Sequence, residues 1–551
     1  EHSFKGEIPE HYRALNILQN TRLCINEDML EVVEWCWETR QSFGKFPKRD
    51  TPDFPRLPED HMTMDQDLKK AIKEDQREWR NTDRAVRGAE AVMKQDLQIA
   101  NELAIFDYFT IPWACDFRGR FNMIPSFNYH RDDHIKSLFQ FQRGRVVVGQ
   151  NVRWLKNEGV LLDMAKDYKS DHGQWRKADK PFQMLAALFE YSRYLDEGDE
   201  FVGFVPYSLD GTNSGVQHYS MLTLGQDEGR LCNLVPQAEM ADLYQTVADK
   251  VTSRLEVDLE DPSAFGKNPI TKAELARIWL DYGVDRRLTK RPSMVFAYSS
   301  VAAGMTGQFM EDVMKPLQRD VSYGDIEFHP IARTNKERKV AARYLAEHCY
   351  DSIVQTLPKA AEAMKWIQSC TNVLSKQNKL VNWTSPSGFR IFHNYLKRDR
   401  VETKIFLFDT AVGERTRSKV SLSMDTGKVD VRKNTASVAA NFIHSLDASG
   451  MAKTIVRLYD KFEKGEEGGC QDFFMIHDSF AISGDVDDLY YGVRDAHIEM
   501  YEAENLLLKW QEELRQQLDH PNDFEKAGVE PIPEMGNLDL QLIRESEFCF
   551  S

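Results

Sequence analysis

A chain of 551 residues with 42% hydrophobic content has the composition of a folded globular protein, and its length allows several domains or one multi-lobed body. A net charge of −16 opposes phosphate binding in the aggregate, so any nucleic-acid role requires a local basic channel. No run approaches the roughly 18 apolar residues of a membrane span, no leader-like opening is present, and eight cysteines from Cys24 to Cys549 stand singly, which excludes a zinc ribbon or disulfide framework and suits a soluble, unsecreted protein in a reducing compartment.

Residues 1–106 read as charge-rich helices: ALNILQNTRL, MLEVVEWCWETR and a long run from DLKKAIKEDQ to NELAIF. Between the last two lies KFPKRDTPDFPRLPEDH, whose four prolines mark a loop. Arg77, Arg80, Arg84 and Arg87 recur at helical spacing and give one basic face, either a solvated surface or a rail for a polyanion. FDYFTIPWACDFRGRFNMIPSF reads as strand, turn and strand, and GFVPYSLDGTNSGVQHYSML as strand, turn and helix start. Residues 236–385 are mainly helical. SKVSLSM and KVDVRK then alternate around Asp425-Thr426-Gly427, which predicts a hairpin with its tip there. From Lys397 to Lys433 ten Lys and Arg stand against six Asp and Glu, so this hairpin could touch a polyanion.

Near the end, FFMIHDSFAI reads as a mostly buried strand carrying one carboxylate, Asp478. An ionised Asp is costly there unless a cation sits beside it. A second acid, Asp210, ends a short apolar strand and is followed by GTNSG, residues that let a backbone turn tightly and approach a ligand. Either alone is an ordinary strand end or turn. Brought into one cleft, the two would repel unless metal ions lay between them, and two Mg²⁺ ions about 4 Å apart are the usual clamp for phosphoryl or nucleotidyl transfer. In DRRLTKRPSMVFAYSS, Arg286, Lys290, Met294 and Tyr298 are spaced by four and predict one helical stripe of two cations, a flexible apolar group and an aromatic hydroxyl. The cations suit a triphosphate, and Pro292 predicts a bend or restart near Leu288.

DGTNSGVQHYS, DRRLTKRPSMVFAYSS, NFIHSLDASG and IHDSF occur in the order and at roughly the separations of the motifs of single-subunit bacteriophage-type RNA polymerases, the family of T-odd phages and mitochondria. DFRGR, the opening QNTRLCIN and the terminal EFCFS are also similar to that family, and the resemblance covers essentially the whole chain. It implies an α+β, mainly helical right-hand fold with a small antiparallel palm sheet: a thumb at about 1–106, palm with an insertion at 107–226, fingers at 227–443 with a promoter-reading hairpin at about 400–433, and palm and tail at 444–551. It implies transcription from NTPs on a DNA template, with an RNA product and pyrophosphate released, by a monomeric catalytic unit in the cytoplasm of a host cell.

Carried over by motif, the resemblance makes Asp210 and Asp478 the ligands of two Mg²⁺ ions, with the Gly211 carbonyl as a third. Arg286 and Lys290 would bind the triphosphate, Lys290 also donating a proton to pyrophosphate; Met294 would line the substrate site. Tyr298 and His444 would sense the ribose, Tyr244 would line the nucleotide site, Arg120 would sit near template and hybrid, and His477 would orient its strand and the primer end. Family A DNA polymerases share much of this scheme but carry a Glu where Gly215 stands, and Gly215 leaves room for a ribose 2′-hydroxyl; a catalytically silent nucleic-acid-binding relative is the third reading. Ser299 stands where the family usually has Gly, and Asn122 where an aromatic often follows DFRGR. Phage members usually have a further N-terminal domain for promoter opening with no counterpart here, which leaves that task to a missing domain or an accessory protein.

Overall fold

The structure, a computed structural model, describes residues 8–51, 53–56, 66–146, 168–169, 174–323, 326, 328–332, 334–409, 414–483 and 486–550. These residues are mainly helical, with six two-stranded antiparallel sheets among them, so the mainly helical α+β expectation holds. They fall into two compact units: Glu1–Cys115, Phe121–Asp210 and Met451–Ala496 form the first, and Asp116–Arg120, Gly211–Gly450 and His497–Ser551 the second.

In the first unit the expected helices form at Glu10–Asn20, Glu27–Glu38 and Gln66–Ala104. Asn26 starts the second of these by accepting the Met29 N–H, and Met29, Val32, Val33 and Cys36 recur at helical spacing to make its buried face. The LCI of the opening motif is a strand, Leu23–Ile25, paired with Phe139–Phe141. Arg77, Arg80, Arg84 and Arg87 are all exposed along the Gln66–Ala104 helix. The strand, turn and strand around DFRGR is a hairpin of Trp113–Cys115 and Phe121–Met123, with Asn122 opposite Ala114. The proline-rich segment is loop wherever it is described, and residues 52 and 57–61 of it lie outside the described residues.

A buried carboxylate positions the approach to Asp210. Glu190, fully buried on the Pro181–Glu197 helix, accepts from the Phe204 N–H at 2.6 Å, the Val205 N–H at 2.9 Å and the Tyr207 hydroxyl at 2.9 Å. Burial pushes its pKa up against these three donors. The Tyr207–Asp210 strand begins at that tyrosine.

In the second unit, capping boxes start the Lys272–Tyr282 helix at Thr271/Glu274 and the Asn335–Thr356 helix at Thr334/Glu337. The long helical run then restarts at Pro358, whose missing N–H costs nothing in a first turn. The predicted hairpin forms, but its tip is not Asp425-Thr426-Gly427. Leu396–Asp409 pairs with Glu414–Val429, Asp425 lies opposite Arg398 near the ribbon's base, and residues 410–413 between the strands lie outside the described residues. The sequence signal was a bulge: the register shifts between Leu396 and Arg398, Gly427 takes φ +72°, and Thr426 Oγ1 donates to the Lys397 carbonyl.

Replacing Glu190 with Ala strands two backbone N–H groups and the Tyr207 hydroxyl, which is expected to lower unfolding free energy by about 3 kcal/mol. Urea denaturation checks this as a lower midpoint at unchanged slope.

Candidate active site

Asp210 and Asp478 meet through strand pairing within the first unit. Tyr207–Asp210 runs antiparallel to Ser479–Ile482 with Asp210 opposite Ser479, so Asp210 ends one strand and Asp478 immediately precedes the other. FFMIHDSFAI is therefore not one continuous strand. Ile476 and Ser479 exchange both backbone hydrogen bonds, at 2.9 and 2.8 Å, and His477-Asp478 forms the two-residue turn between them. His477 takes φ +51°, the left-handed turn geometry that a non-glycine residue rarely adopts. Phe473, Phe474, Met475, Phe480, Ala481 and Ile482 are buried on either side, so an apolar clamp holds a half-buried polar tip.

The same unit braces that tip with His130. Its Nε2 lies 3.0 Å from the Met475 carbonyl, and its ring centroid lies 5.2 Å from that of His477. Burial pushes His130 down to about 4, so at neutral pH the imidazole is uncharged and its Nε2–H donates to that carbonyl. Asp210, Asp478, His130 and Lys136 all line one cavity of about 630 Å³. Among the described residues no cluster of three or more His, Cys, Asp or Glu could enclose a metal.

In the second unit the GTNSG turn after Asp210 leads into the Ser214–Thr223 helix, whose Asn213 side chain accepts the Val216 N–H. Thr212 Oγ1 donates to the Phe548 carbonyl at 2.5 Å, and Gln217 Nε2 to the Cys549 carbonyl at 2.8 Å, so the EFCFS segment is tied beside Gly211. A Cβ at Gly215 would fall 2.6 Å from the Ala297 Cβ and 3.5 Å from the Tyr298 hydroxyl. Glycine there lets the Tyr298 turn pack down.

The Arg286–Phe296 helix starts at Asp285, which accepts the Leu288 N–H, and runs without interruption through Pro292. The expected restart at Leu288 does not occur, because the helix begins only two residues earlier and Pro292 simply leaves one first-turn carbonyl without its intrahelical donor. Leu288, Thr289, Pro292, Ser293 and Phe296 make its buried face, while Arg286, Lys290 and Met294 are exposed. Tyr298 lies beyond the helix, in the turn after Ala297, rather than as a fourth member of a helical stripe. Arg286 Nε donates to Asp242 Oδ2 at 2.5 Å, and its guanidinium lies 5.2 Å from the Tyr244 ring centroid. Asn213 Nδ2 donates to the Tyr244 hydroxyl at 3.4 Å, so Tyr244, Arg286 and the post-Asp210 turn are gathered together.

Tyr298 packs on His444 with ring centroids 4.6 Å apart. His444 is held by DFRGR, in which exposed Phe117 packs edge-on against Tyr395 and under the Arg118 guanidinium. Asp116 Oδ1 accepts the Arg118 and Arg120 N–H groups and shapes the turn, and Gly119 takes φ +86°. Arg118, itself on Asp116 Oδ2 at 2.5 Å, donates to His444 Nδ1 at 3.2 Å. A guanidinium can only donate, so Nδ1 accepts. Burial and then Arg120 push His444 down to about 3, which leaves a neutral ring with its proton on Nε2. One turn further along the helix, buried Asp447 accepts from Arg120 Nη2 at 2.6 Å and Ser214 Oγ at 3.1 Å, with His218 Nε2 at 3.6 Å. Burial alone would raise the Asp447 carboxyl, but His218 and the Arg120 guanidinium hold it well below the usual carboxylate range. Sequence reasoning missed Arg118, Asp447, His130 and Lys136. Asp447 had a visible signal, a lone acid three residues after His444 in an otherwise uncharged stretch, and Arg118 stood inside the DFRGR motif; His130 and Lys136 had none.

A family model described as DNA-dependent RNA polymerase matches residues 146–527. The chain is 29% identical to a DNA-directed RNA polymerase of Enterobacteria phage T3, 28% to the T7 RNA polymerase of Escherichia phage T7, and 27% to DNA-directed RNA polymerase 1, mitochondrial, of Arabidopsis thaliana. Each similarity covers 99% of this chain, and the chain spans 65%, 65% and 54% of those relatives' lengths.

Ser299 takes φ +67° with its hydroxyl buried and unpartnered, so both its backbone and its side chain carry strain. Ser299→Gly is expected to stabilise the protein by about 1 kcal/mol, read as a raised midpoint in thermal or denaturant unfolding.

Proposed function

Because the chain belongs to the DNA-dependent RNA polymerase family, we propose that it synthesises RNA on a DNA template from NTPs, releasing pyrophosphate. The observation that carries this reading is the register pairing that sets Asp210 beside the Asp478 turn in one cavity. The family implies a divalent metal cofactor. The residues fit one: two carboxylates are hard oxygen donors, and among the described residues no further His, Cys, Asp or Glu joins them in a metal-holding group, which suits Mg²⁺ that keeps waters and takes substrate phosphates. We assign two Mg²⁺ ions to Asp210 and Asp478, with the Gly211 carbonyl as a further oxygen. When bound, such ions lower the pKa of an attacking hydroxyl and offset charge on a leaving pyrophosphate.

The chain's own residues supply the rest. The His477-Asp478 turn, clamped by buried neighbours and His130, fixes its carboxylate before substrate arrives, as chemistry that depends on positioning requires. Arg286 and Lys290 offer a triphosphate two cations on one helix face, and Arg286 exchanges its Asp242 pairing for phosphate oxygens. Lys290 is placed to give a proton to the leaving pyrophosphate. Met294 and Tyr244 line the nucleotide, and His477 orients the primer end. His444 offers a neutral Nε2–H and Tyr298, packed against its ring, offers a hydroxyl, a donor and an amphoteric partner for a ribose 2′-hydroxyl, while Gly215 keeps a bulky group out. Arg120 acts on template and hybrid from its Asp447 anchor.

The right-hand division follows from the same reading: a thumb at 1–106 whose exposed arginines face nucleic acid, fingers at 227–443, and a ribbon at about 400–433 that reads promoter DNA. Exposed Arg398, Arg400, Lys404 and Arg417 beside exposed Val401, Phe406, Leu422 and Met424 give that ribbon both phosphate-binding and base-contacting groups. DNA, RNA and NTPs are its partners, with promoter opening shared with an N-terminal domain or an accessory protein.

A primed DNA bubble with Mg²⁺ and either NTPs or dNTPs tests the reading. Template-directed extension with NTPs supports it, and extension with dNTPs alone favours a DNA polymerase. Tyr298→Phe is expected to relax the NTP preference by about tenfold, the worth of one lost hydrogen bond to a sugar hydroxyl. Because His444 stays neutral far below pH 6, that preference is expected to be flat between pH 6 and 8; a step near pH 6.5 would remove His444 from the role.

A further inference from the structure

Lys136 ends the four-residue Asp133–Lys136 helix and lines the cavity that Asp210 and Asp478 share. Its side chain is half-buried, with the ammonium 5.8 Å from the Phe474 ring centroid, and among the described residues it makes no hydrogen bond or ion pair. The charged groups that act on it are Lys180, Asp210 and Asp133. Asp133 is already committed elsewhere: its carboxylate accepts the Phe182 N–H at 2.7 Å, the Gln183 N–H at 3.2 Å and Gln183 Nε2 at 2.7 Å, which pins the start of the Pro181–Glu197 helix. Arg131, another cation on the cavity wall, is paired with Asp96 at 2.9 Å. Lys136 is therefore a half-buried cation that feels Asp210 and Asp133 but pairs directly with neither, an arrangement that leaves its ammonium open to a ligand anion.

We propose that Lys136 binds a non-bridging oxygen of the last phosphodiester of the growing strand, one link back from the 3′-hydroxyl that reacts. The proposal rests on the polymerase reading and identifies a strand contact within it. Charge decides between the two anions the reaction brings. A phosphodiester carries one negative charge, which one ammonium matches, whereas a triphosphate carries several and is served by Arg286 and Lys290 together. Lys136 also belongs to the same unit as both carboxylates, so one short helix fixes its place relative to the reacting end.

The test is equilibrium binding of a primed scaffold in Ca²⁺, without chemistry, for wild type, Lys136→Gln and Lys136→Arg. The scaffold carries either a normal terminal linkage or a neutral methylphosphonate there. Lys136→Gln is expected to weaken binding about tenfold and reduce the salt slope by about one, with Lys136→Arg retaining most of the affinity. The methylphosphonate should weaken wild type by a similar factor and leave Lys136→Gln unaffected. Additive losses, or wild-type affinity in Lys136→Gln, overturn the contact, as does an effect confined to the KM for NTP. Parallel extension assays in Mg²⁺ separate the two claims: a wild type that shows the coupled binding loss but never extends keeps the contact and loses the polymerase assignment.

Discussion

The register between Tyr207–Asp210 and Ser479–Ile482 is the constraint on which the meeting of Asp210 and Asp478 depends. Two strands far apart in sequence, each only four residues long, pair so that Asp210 stands opposite Ser479. A slip of one residue would send Leu209 and Phe480 toward solvent and turn one carboxylate away from the other. Burial of Leu209, Phe474, Phe480 and Ile482 opposes that slip, and the tight exchange between Ile476 and Ser479 fixes where the turn falls. The left-handed His477 is a cost of about 1 kcal/mol that the apolar clamp offsets, and the return is a carboxylate whose position does not depend on its own contacts.

A second buried anion organises the other unit. Asp447 joins Arg120 of the DFRGR turn, Ser214 of the helix after Asp210 and His218 of the same helix, one turn from His444. Removing one partner would leave a desolvated charge, so the cluster is costly to loosen and holds its members in one geometry. Arg118 then fixes the His444 tautomer, and His444 with Gly215 fixes where Tyr298 rests.

Much of this was legible in the chain. Asp210 and Asp478 stood out because a carboxylate at an apolar strand end needs a reason, and the helical spacing of Arg286, Lys290 and Met294 gave an exposed face against a buried one. What failed to show was whatever depends on tertiary packing or backbone sign. Gly427 looks the same in a hairpin tip as in a bulge, and only the strand register distinguishes them. Tyr298 kept helical spacing past the point where the helix stops, since periodicity does not record an end that lacks a glycine. Arg118 takes its role from His444 and Asp447 takes its role from Arg120, each more than 300 residues away, and Lys136 takes its place from a cavity that only the fold assembles.

The central claim is that the Asp210–Asp478 pair carries the metal-dependent step. Single-turnover addition of one NTP to a pre-bound primed bubble, measured against Mg²⁺ concentration for wild type, Asp210→Asn and Asp478→Asn, tests it most directly. The account predicts that each variant still binds the bubble but loses at least about a hundredfold in the rate constant at saturating metal. A variant that adds nucleotide at the wild-type rate with unchanged Mg²⁺ dependence would contradict it.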